Sequence, residues 1–266
     1  MSWIRYAAWA ILLAPLCAIN GAAPRIPHSQ TPRMRALPRL TVWAWERRED
    51  LRSLDPHTTA VAYLDRTITL DARGITTTPR RQPLLLPAAD NLTRIPVVRI
   101  ETAPGAQLND DTAEITARRI LEAALRNDLE APVPALQIDF DAKLSERPWY
   151  RTVLEHTRQE LPPAVPLSMT ALASWCSYDG SWLRGLPVDE IVPMLFRMEP
   201  DRRQFAPNDR PAIPQQFAIR ESACMGSVGI STREAWPRVL AGRRVYVFPD
   251  RGWQRDGLSE TVKELW

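Results

Sequence analysis

The chain predicts an α/β fold, a parallel barrel of the TIM-like (β/α)8 type, and three observations predict it. Eight short apolar runs follow one another between residues 40 and 248, each about as long as a buried parallel strand. Amphipathic stretches of helical period separate the later runs. Polar residues within the runs collect toward their carboxyl ends, where barrels of this type assemble their sites. A doubly wound open sheet is the alternative. Its glycine-rich first turn is here replaced by Trp45-Glu46-Arg47-Arg48.

The strands are expected at Leu40–Trp45, Ala60–Leu64, Ile95–Ile100, Ala135–Asp141, Leu167–Ala173, Glu190–Phe196, Ser227–Ser231 and Arg244–Phe248. The early units are irregular. Residues 66–80 alternate apolar and polar around Ala72-Arg73-Gly74, which reads as a β-hairpin inserted after strand two in place of a helix. A long helix is expected over Asp111–Leu129, opened by an Asp111/Glu114 capping box. A second covers Pro148–Leu161, with Ser145 as cap and Pro162 as stop. A third lies around residues 212–224, a fourth opens at Ser231 and ends at Gly242, and Ser259–Leu265 closes the chain.

Composition narrows the function. With 266 residues, 45% of them hydrophobic and 24% charged, the chain is an ordinary globular one, which excludes disorder, collagen and coiled coil. The net charge is only +3 and no run of five basic residues occurs, so a nucleic-acid partner is not expected. Lys143 and Lys263 are the only lysines among 34 basic residues, a bias we read as genomic. The 25 prolines against 10 glycines imply stiff loops.

Residues 1–22 have the order of a secretory signal: basic Arg5, an apolar run from Tyr6 to Ile19, then small residues Gly21, Ala22 and Ala23. That run is shorter than a spanning helix needs, so no membrane association is expected beyond export to the periplasm or outside. Lipidation at Cys17 is the lesser alternative, because Ala14-Pro15-Leu16 fits a lipidation box poorly. Residues 23–38 are Pro- and Arg-rich and read as a linker; residues 39–266 form a single barrel domain. The remaining cysteines, Cys176 beyond strand five and Cys224 just before strand seven, are expected at opposite barrel faces, too far apart for the roughly 7 Å a disulfide requires.

The strongest signal is alternation in ALQIDFD. Leu136, Ile138 and Phe140 share one face; Gln137, Asp139 and Asp141 share the other. If the apolar face meets the outer helices, two carboxylates and an amide point into the barrel. Strand three places Arg99 with Glu101, strand two Tyr63 with Asp65, strand one ends in Trp45-Glu46, strand five in Trp175, and strand six in Phe196-Arg197. Ionised carboxylates buried together cost several kcal/mol unless paired, and like charges raise at least one pKa. A protonated acid beside an ionised one is what glycoside hydrolysis uses. The bland alternative is an Arg–carboxylate network that only fixes barrel geometry. Among 10 tryptophans, Trp43, Trp45, Trp175, Trp182 and Trp253 fall near strand ends, where sugar rings stack. No metal or other cofactor is expected, since His28, His57 and His156 lack ligand spacing. Ser174-Trp175-Cys176 lacks the glycine frame of a nucleophile elbow.

The segments LQIDFDAKLSER, PLSMTALASWC, VDEIVPMLFRM and SVGIST, with VWAWERREDL and RVYVFP, together resemble an uncharacterised bacterial family, domain of unknown function 3142, over about residues 40–255. The resemblance implies an exported bacterial protein with no assigned reaction. A more distant resemblance is to the chitinase-type glycoside hydrolases, which are (β/α)8 barrels. Ile138-Asp139-Phe140-Asp141 looks like the centre of their fourth-strand acidic motif, and Met194-Leu195-Phe196-Arg197 like their sixth-strand motif. On that register Leu136 stands for the first acid and Lys143 for the catalytic glutamate, so the resemblance implies the barrel and the site's location, not chitinase activity.

The expected function is therefore a glycoside-hydrolase-like barrel acting on, or binding, an envelope or matrix polysaccharide. Asp141 or Glu146 would be the general acid, Asp139 would orient it or face developing positive charge, and Glu101 would be the next candidate base. Arg99 and Arg197 would hold substrate or acids, Trp45 and Trp175 would be sugar platforms, and Tyr63 and Gln137 would contribute polar contacts. The alternatives are a non-catalytic glycan-binding or envelope-assembly protein, and a hydrolase acting on a phosphorylated or acetylated sugar.

Overall fold

Each apolar run of the sequence becomes a strand in the computed structural model of the protein, which describes residues 31–125, 133–177, 180–196, 219–234 and 242–264. In chain order the strands are β1 (Leu40–Ala44), β2 (Glu49–Asp50), β3 (Thr59–Asp71), β4 (Gly74–Pro79), β5 (Leu84–Leu85), β6 (Arg94–Thr102), β7 (Leu136–Asp139), β8 (Leu167–Leu172), β9 (Glu190–Met194), β10 (Ser227–Ser231) and β11 (Arg244–Phe248). The pairing order β1-β11-β10-β9-β8-β7-β6-β3, closed by β1 against β3, makes a ring of eight parallel strands. A closed ring leaves no free edge. The open-sheet alternative is excluded. The helices α1 (Pro32–Arg35), α2 (Asp110–Ala124), α3 (Arg147–Glu160), α4 (Ala173–Ser177), α5 (Trp253–Asp256) and α6 (Leu258–Glu264) complete the described elements, and none is long and apolar enough to cross a membrane.

The irregular second unit is present as expected. β3 overruns the barrel and folds back onto β4 in antiparallel register, Asp71 opposite Gly74. Gly74 has φ +127°, which a side chain rarely tolerates, and Asp71 accepts a hydrogen bond from the Arg73 amide at 2.7 Å. Helix boundaries moved for local reasons. α2 opens one residue earlier than expected, because Asn109 accepts from the Thr112 amide at 2.9 Å while the Thr112 hydroxyl bonds back to the Asn109 amide. That capping box, not Asp111/Glu114, contributes about 1 kcal/mol. Ser145 caps nothing; it lies in a 3-10 turn, Leu144–Glu146, that precedes α3. α2 ends at Ala124 with Leu125 as its C-cap, short of the expected Leu129. Where helices were expected near 212–224 and from Ser231, the described residues hold a 3-10 turn, Ser222–Cys224, and a turn after β10, and residues 212–218 and 235–241 lie outside the described residues.

Strand alternation separates two apolar layers. Leu136, Ile138, Val98 and Ile100 pack outward with Tyr150, Val153 and Leu154 of α3, and Leu40, Val42, Val61, Val228, Ile230, Val245 and Val247 pack outward with Trp253 and Leu258. Inside the ring lie Trp43, Ala60, Ala62, Ile95, Val97, Val192, Tyr246 and Phe248. The lower interior is polar and centred on Glu190. Glu190 pairs with Arg244 at 3.1 Å and accepts from Tyr246 Oη at 2.6 Å, Ser168 Oγ at 3.0 Å and Ser227 Oγ. Arg244 also donates to the carbonyls of Met34 and Pro38. Part of the stretch that composition reads as linker thus sits against the amino-terminal end of the barrel, with Met34 fully buried in α1.

One expectation is overturned here. Cys176 and Cys224 form a disulfide, with Cα atoms 5.9 Å apart. The reasoning from barrel faces failed because Cys176 is not on the rim. It lies in α4, which has already turned down the outer flank, where its carbonyl accepts from the amides of Arg220 and Glu221 just before Cys224.

Candidate active site

The alternation of β7 puts Asp139 inside the ring, and the two residues that follow carry Asp141 to the carboxyl-terminal mouth. There a cavity of about 590 Å³ opens, lined by Trp45, Arg47, Arg99, Asp139, Asp141, Phe196, Ser231, Phe248 and Asp250 among others. Strand register explains the grouping: Arg99 of β6 lies directly opposite Asp139 of β7.

Asp139 is almost fully buried and its charge is compensated on both oxygens. Arg99 Nη1 donates to Oδ2 at 2.7 Å, and Thr170 Oγ1 donates to Oδ1 at 2.7 Å. Arg99 also binds Glu101 Oε1 through Nε at 2.8 Å and stacks its guanidinium over Trp45, 5.3 Å from the ring centre. Asp141 lacks such support: among the described residues no donor bonds its carboxylate. It is reached by solvent at the mouth, yet protein surrounds enough of it for burial to push its carboxyl up to about 6; the Asp139 charge adds to the rise and Arg99 opposes it. The two neighbouring acids therefore differ in environment: Asp139 is neutralised by an arginine and a hydroxyl, and Asp141 has no bonded donor among the described residues. Behind them Phe140 meets Tyr150 edge-on at 5.1 Å. Burial, with the charges of Asp139 and Asp141, drives the Tyr150 phenol well above its ordinary range, so it stays protonated.

The hairpin insertion builds one wall. Arg80, just after β4, donates to the carbonyls of Ala44, Trp45 and Arg47, and Glu46 accepts from the amides of Arg81 and Gln82 at 3.0 Å. These bonds hold the loop that presents Trp45 and Arg47. Trp45 meets Trp43 edge-on at 4.3 Å. Arg47 reaches across to the carbonyls of Asp250 and Pro249, at 3.1 Å each, tying the loop after β1 to the loop after β11.

Asp139, Asp141, Arg99 and Trp45 are thus brought together as the sequence suggested, and the others are not. Trp175 is 1% exposed and stacks edge-on with Trp182 under Arg147, on the outer flank; it follows the end of β8 and belongs to α4, so strand alternation never governed it. Tyr63 faces the outer layer of Leu40, Val42 and Val61, because Ala60 and Ala62 take the inward positions of β3. A register shift at Leu64/Arg66 then separates Tyr63 from Asp65. Gln137 does point inward but is sealed beneath the mouth, accepting from Trp43 Nε1 and donating to Ser168 Oγ, both at 3.1 Å. Glu101 is exposed on the rim, bound to Arg99, and does not line the cavity. Glu146 is not an acid for this site. Burial would raise its pKa, but the amide and ammonium of Lys143 and the Thr102 hydroxyl hold it below the ordinary range, and it ties the turn before α3 to the end of β6. Arg197 lies outside the described residues.

Sequence reading missed Arg47 and Asp250. The same rule that selected Asp141 would have found Asp250, which stands two residues beyond the last inward aromatic of β11. In the ring order, β11 is four strands from β7 in either direction, so Asp250 and Asp141 approach the cavity from opposite sides. Among the described residues, no group of three His, Cys, Asp or Glu side chains gathers to hold a metal ion.

No protein-family model matches the chain, so the resemblance to domain of unknown function 3142 remains a resemblance. No curated protein matches it in sequence. Among solved structures, the crystal structure of the Bacillus cereus spore cortex-lytic enzyme SleL is similar at 15% sequence identity and a TM-score of 0.43, over 72% of this chain and 50% of that one. The chain thus spans half the length of that structure. The barrel assignment rests on the strand pairing itself, a closed ring of eight parallel strands with an acidic pair at its carboxyl-terminal mouth.

Proposed function

We propose that the chain is an exported, glycoside-hydrolase-like barrel that cleaves a polysaccharide at the mouth of the ring. The observation that carries this reading is the unequal acid pair: Asp139 compensated by Arg99 and Thr170, beside Asp141 with its pKa lifted to about 6. A carboxyl whose proton is held by its environment can act as the acid, and a neighbouring carboxylate fixed by an arginine can face developing positive charge. Asp141 gives its proton to the glycosidic oxygen as the C–O bond breaks. Asp139, with its negative charge, faces the positive charge that develops at the anomeric carbon. A water attacks that carbon, and Asp250, on the far wall, takes the water's proton. Trp45, Phe196 and Phe248 line the same cavity and offer ring faces to the sugar. Arg99 keeps Asp139 in place. No step calls for a cofactor. The Cys176–Cys224 disulfide supports the export reading, because such bonds persist in oxidising compartments.

The test is release of reducing ends from envelope and matrix polysaccharides by the purified mature chain. The expected result is cleavage that Asp141→Asn abolishes while glycan binding survives. Cleavage unchanged in Asp141→Asn would refute the assignment of the acid.

A second reading, a non-catalytic glycan-binding or envelope-assembly barrel, is favoured by Lys143. It stands where the chitinase-type acid would be and is engaged with Glu146 at 2.9 Å. That reading predicts no cleavage of any glycan, with binding retained in Asp139→Asn/Asp141→Asn.

A further inference from the structure

Asp250 also lines a second cleft, of about 540 Å³, together with Thr232, Arg233, Arg251, Arg255 and Asp256. Its chemistry is unlike that of the first. No aromatic ring lines it, so it offers nothing for a sugar face to stack on; three guanidiniums face two carboxylates. Both carboxylates are already engaged. Asp256 accepts from Thr232 Oγ1 at 2.7 Å and from the Arg251 amide at 3.0 Å, with Arg251 Nε at a long 3.4 Å. Asp250 lies 3.8 Å from Arg233 and its amide donates to Thr232 Oγ1. Arg233 and Arg251 keep most of their side-chain surface in solvent, at 74% and 66%, and Arg255 has no acidic partner among the described residues.

Asp250 and Asp256 already lie near Arg233 and Arg251, at 3.8 and 3.4 Å, so the three arginines exceed the two carboxylates by one positive charge, and the planar fork of an exposed arginine suits carboxylate or sulfate. A neutral glycan leaving the cavity past Asp250 would place only hydroxyls there. We infer that the substrate is an acidic polysaccharide, whose anionic groups on the units next to the cleaved bond are held by Arg233, Arg251 and Arg255. The inference rests on the hydrolase reading for the position of the cleaved bond, and on the cleft alone for the charge.

Calorimetric titration of the full chain tests it with three probes: an oligogalacturonate, the same oligomer with its carboxylates methyl-esterified, and a sulfated oligosaccharide of similar length. The expected result is binding of an anionic probe, with the ester about ten-fold weaker. Exposed charge pairs are individually modest, so Arg233→Gln or Arg255→Gln should each weaken anionic binding about three-fold and the pair about ten-fold. The ester should be indifferent to both. Wild-type affinity for the anionic probe should fall steeply between low and physiological salt, since the contacts are solvent-exposed. That measurement stands even if a variant fails to fold. A preference for the carboxylate or the sulfated probe identifies which anion is taken. Equal binding of acid and ester, or salt-independent binding, overturns the inference. If a neutral glycan is cleaved in an Asp141-dependent way and the arginine variants cleave it normally, the acidic-substrate inference fails while the hydrolase stands. If arginine-dependent anion binding occurs and no glycan is cleaved, the hydrolase fails and the anion cleft stands.

Discussion

Asp141→Asn should make the protein more stable at neutral pH and no more stable in acid. In the native state burial and the Asp139 charge lift the Asp141 carboxyl from 3.8 to about 6. Below about pH 4 the carboxyl is protonated in both folded and unfolded chains, and the wild-type residue costs nothing relative to Asn. Between about pH 4 and 6 the folded chain holds a proton the unfolded chain has released, so stability falls as pH rises through that window. Above about 6 the loss is complete. A shift of about two units corresponds to a ceiling of about 3 kcal/mol. Because Asp141 meets solvent at the cavity mouth, screening cuts this to on the order of 1 kcal/mol. For a chain of this size that is about 2–4 °C in Tm. Thermal melts of wild type and variant at pH 4 and pH 7.5 measure it directly. Equal melting points at pH 7.5, or a variant less stable there, would refute the claim that Asp141 is held in an unfavourable charged state. The same property sets the activity profile: cleavage should decline as pH rises past about 6, where the acid loses its proton.

Three further outcomes follow from the same geometry. Cys176→Ser/Cys224→Ser opens a loop of 48 residues and should cost about 4 kcal/mol by the chain-entropy account, read as a lower denaturant midpoint that reductant reproduces in the wild type; a variant as stable as wild type would contradict a formed bond. Trp175→Ala should cost about 3–5 kcal/mol through the cavity it leaves without a specific loss of glycan binding, whereas Trp45→Ala should weaken glycan binding with a smaller stability change; reversed outcomes in melts and titrations would restore Trp175 as a platform. Asp141 and Asp250, on opposite sides of the ring, leave room for a water between acid and base, so hydrolysis should invert the anomeric centre, as proton NMR of the first product will show; retention would exclude Asp250 as the base.

Period-two alternation made much of the barrel legible. In β7 it separates Leu136 and Ile138 from Gln137 and Asp139 by chemistry alone, since burying an amide and an acid against an apolar helix is too costly to be a rival arrangement. The hairpin was equally legible, because Asp71, Ala72, Arg73 and Gly74 carry their turn in local hydrogen bonds and a positive φ. Helix starts were legible only to within a residue or so: Asn109 and Asp111 are both good caps, and the choice depends on which amide ends up facing which side chain.

What the sequence by itself determined is the inward and outward faces of the regular strands, β7 above all, and so the pair Asp139 and Asp141 at one end of a parallel ring. What only the tertiary structure decided is everything that depends on where the chain goes once a strand has ended. Trp175 and Cys176 turn down the flank in α4, which buries the indole and brings Cys224 to the thiol. Alternation from Ala60 and Ala62 carries Tyr63 outward, and the bulge between Leu64 and Arg66 separates it from Asp65. Closure of the ring sets Asp250 across from Asp141 and lets Arg47 bridge the first and last loops. Alternation is a property of neighbouring residues and is written in the local sequence; the placing of β7 and β11 on opposite walls of one cavity relates segments about a hundred residues apart, and only closure of the barrel creates it.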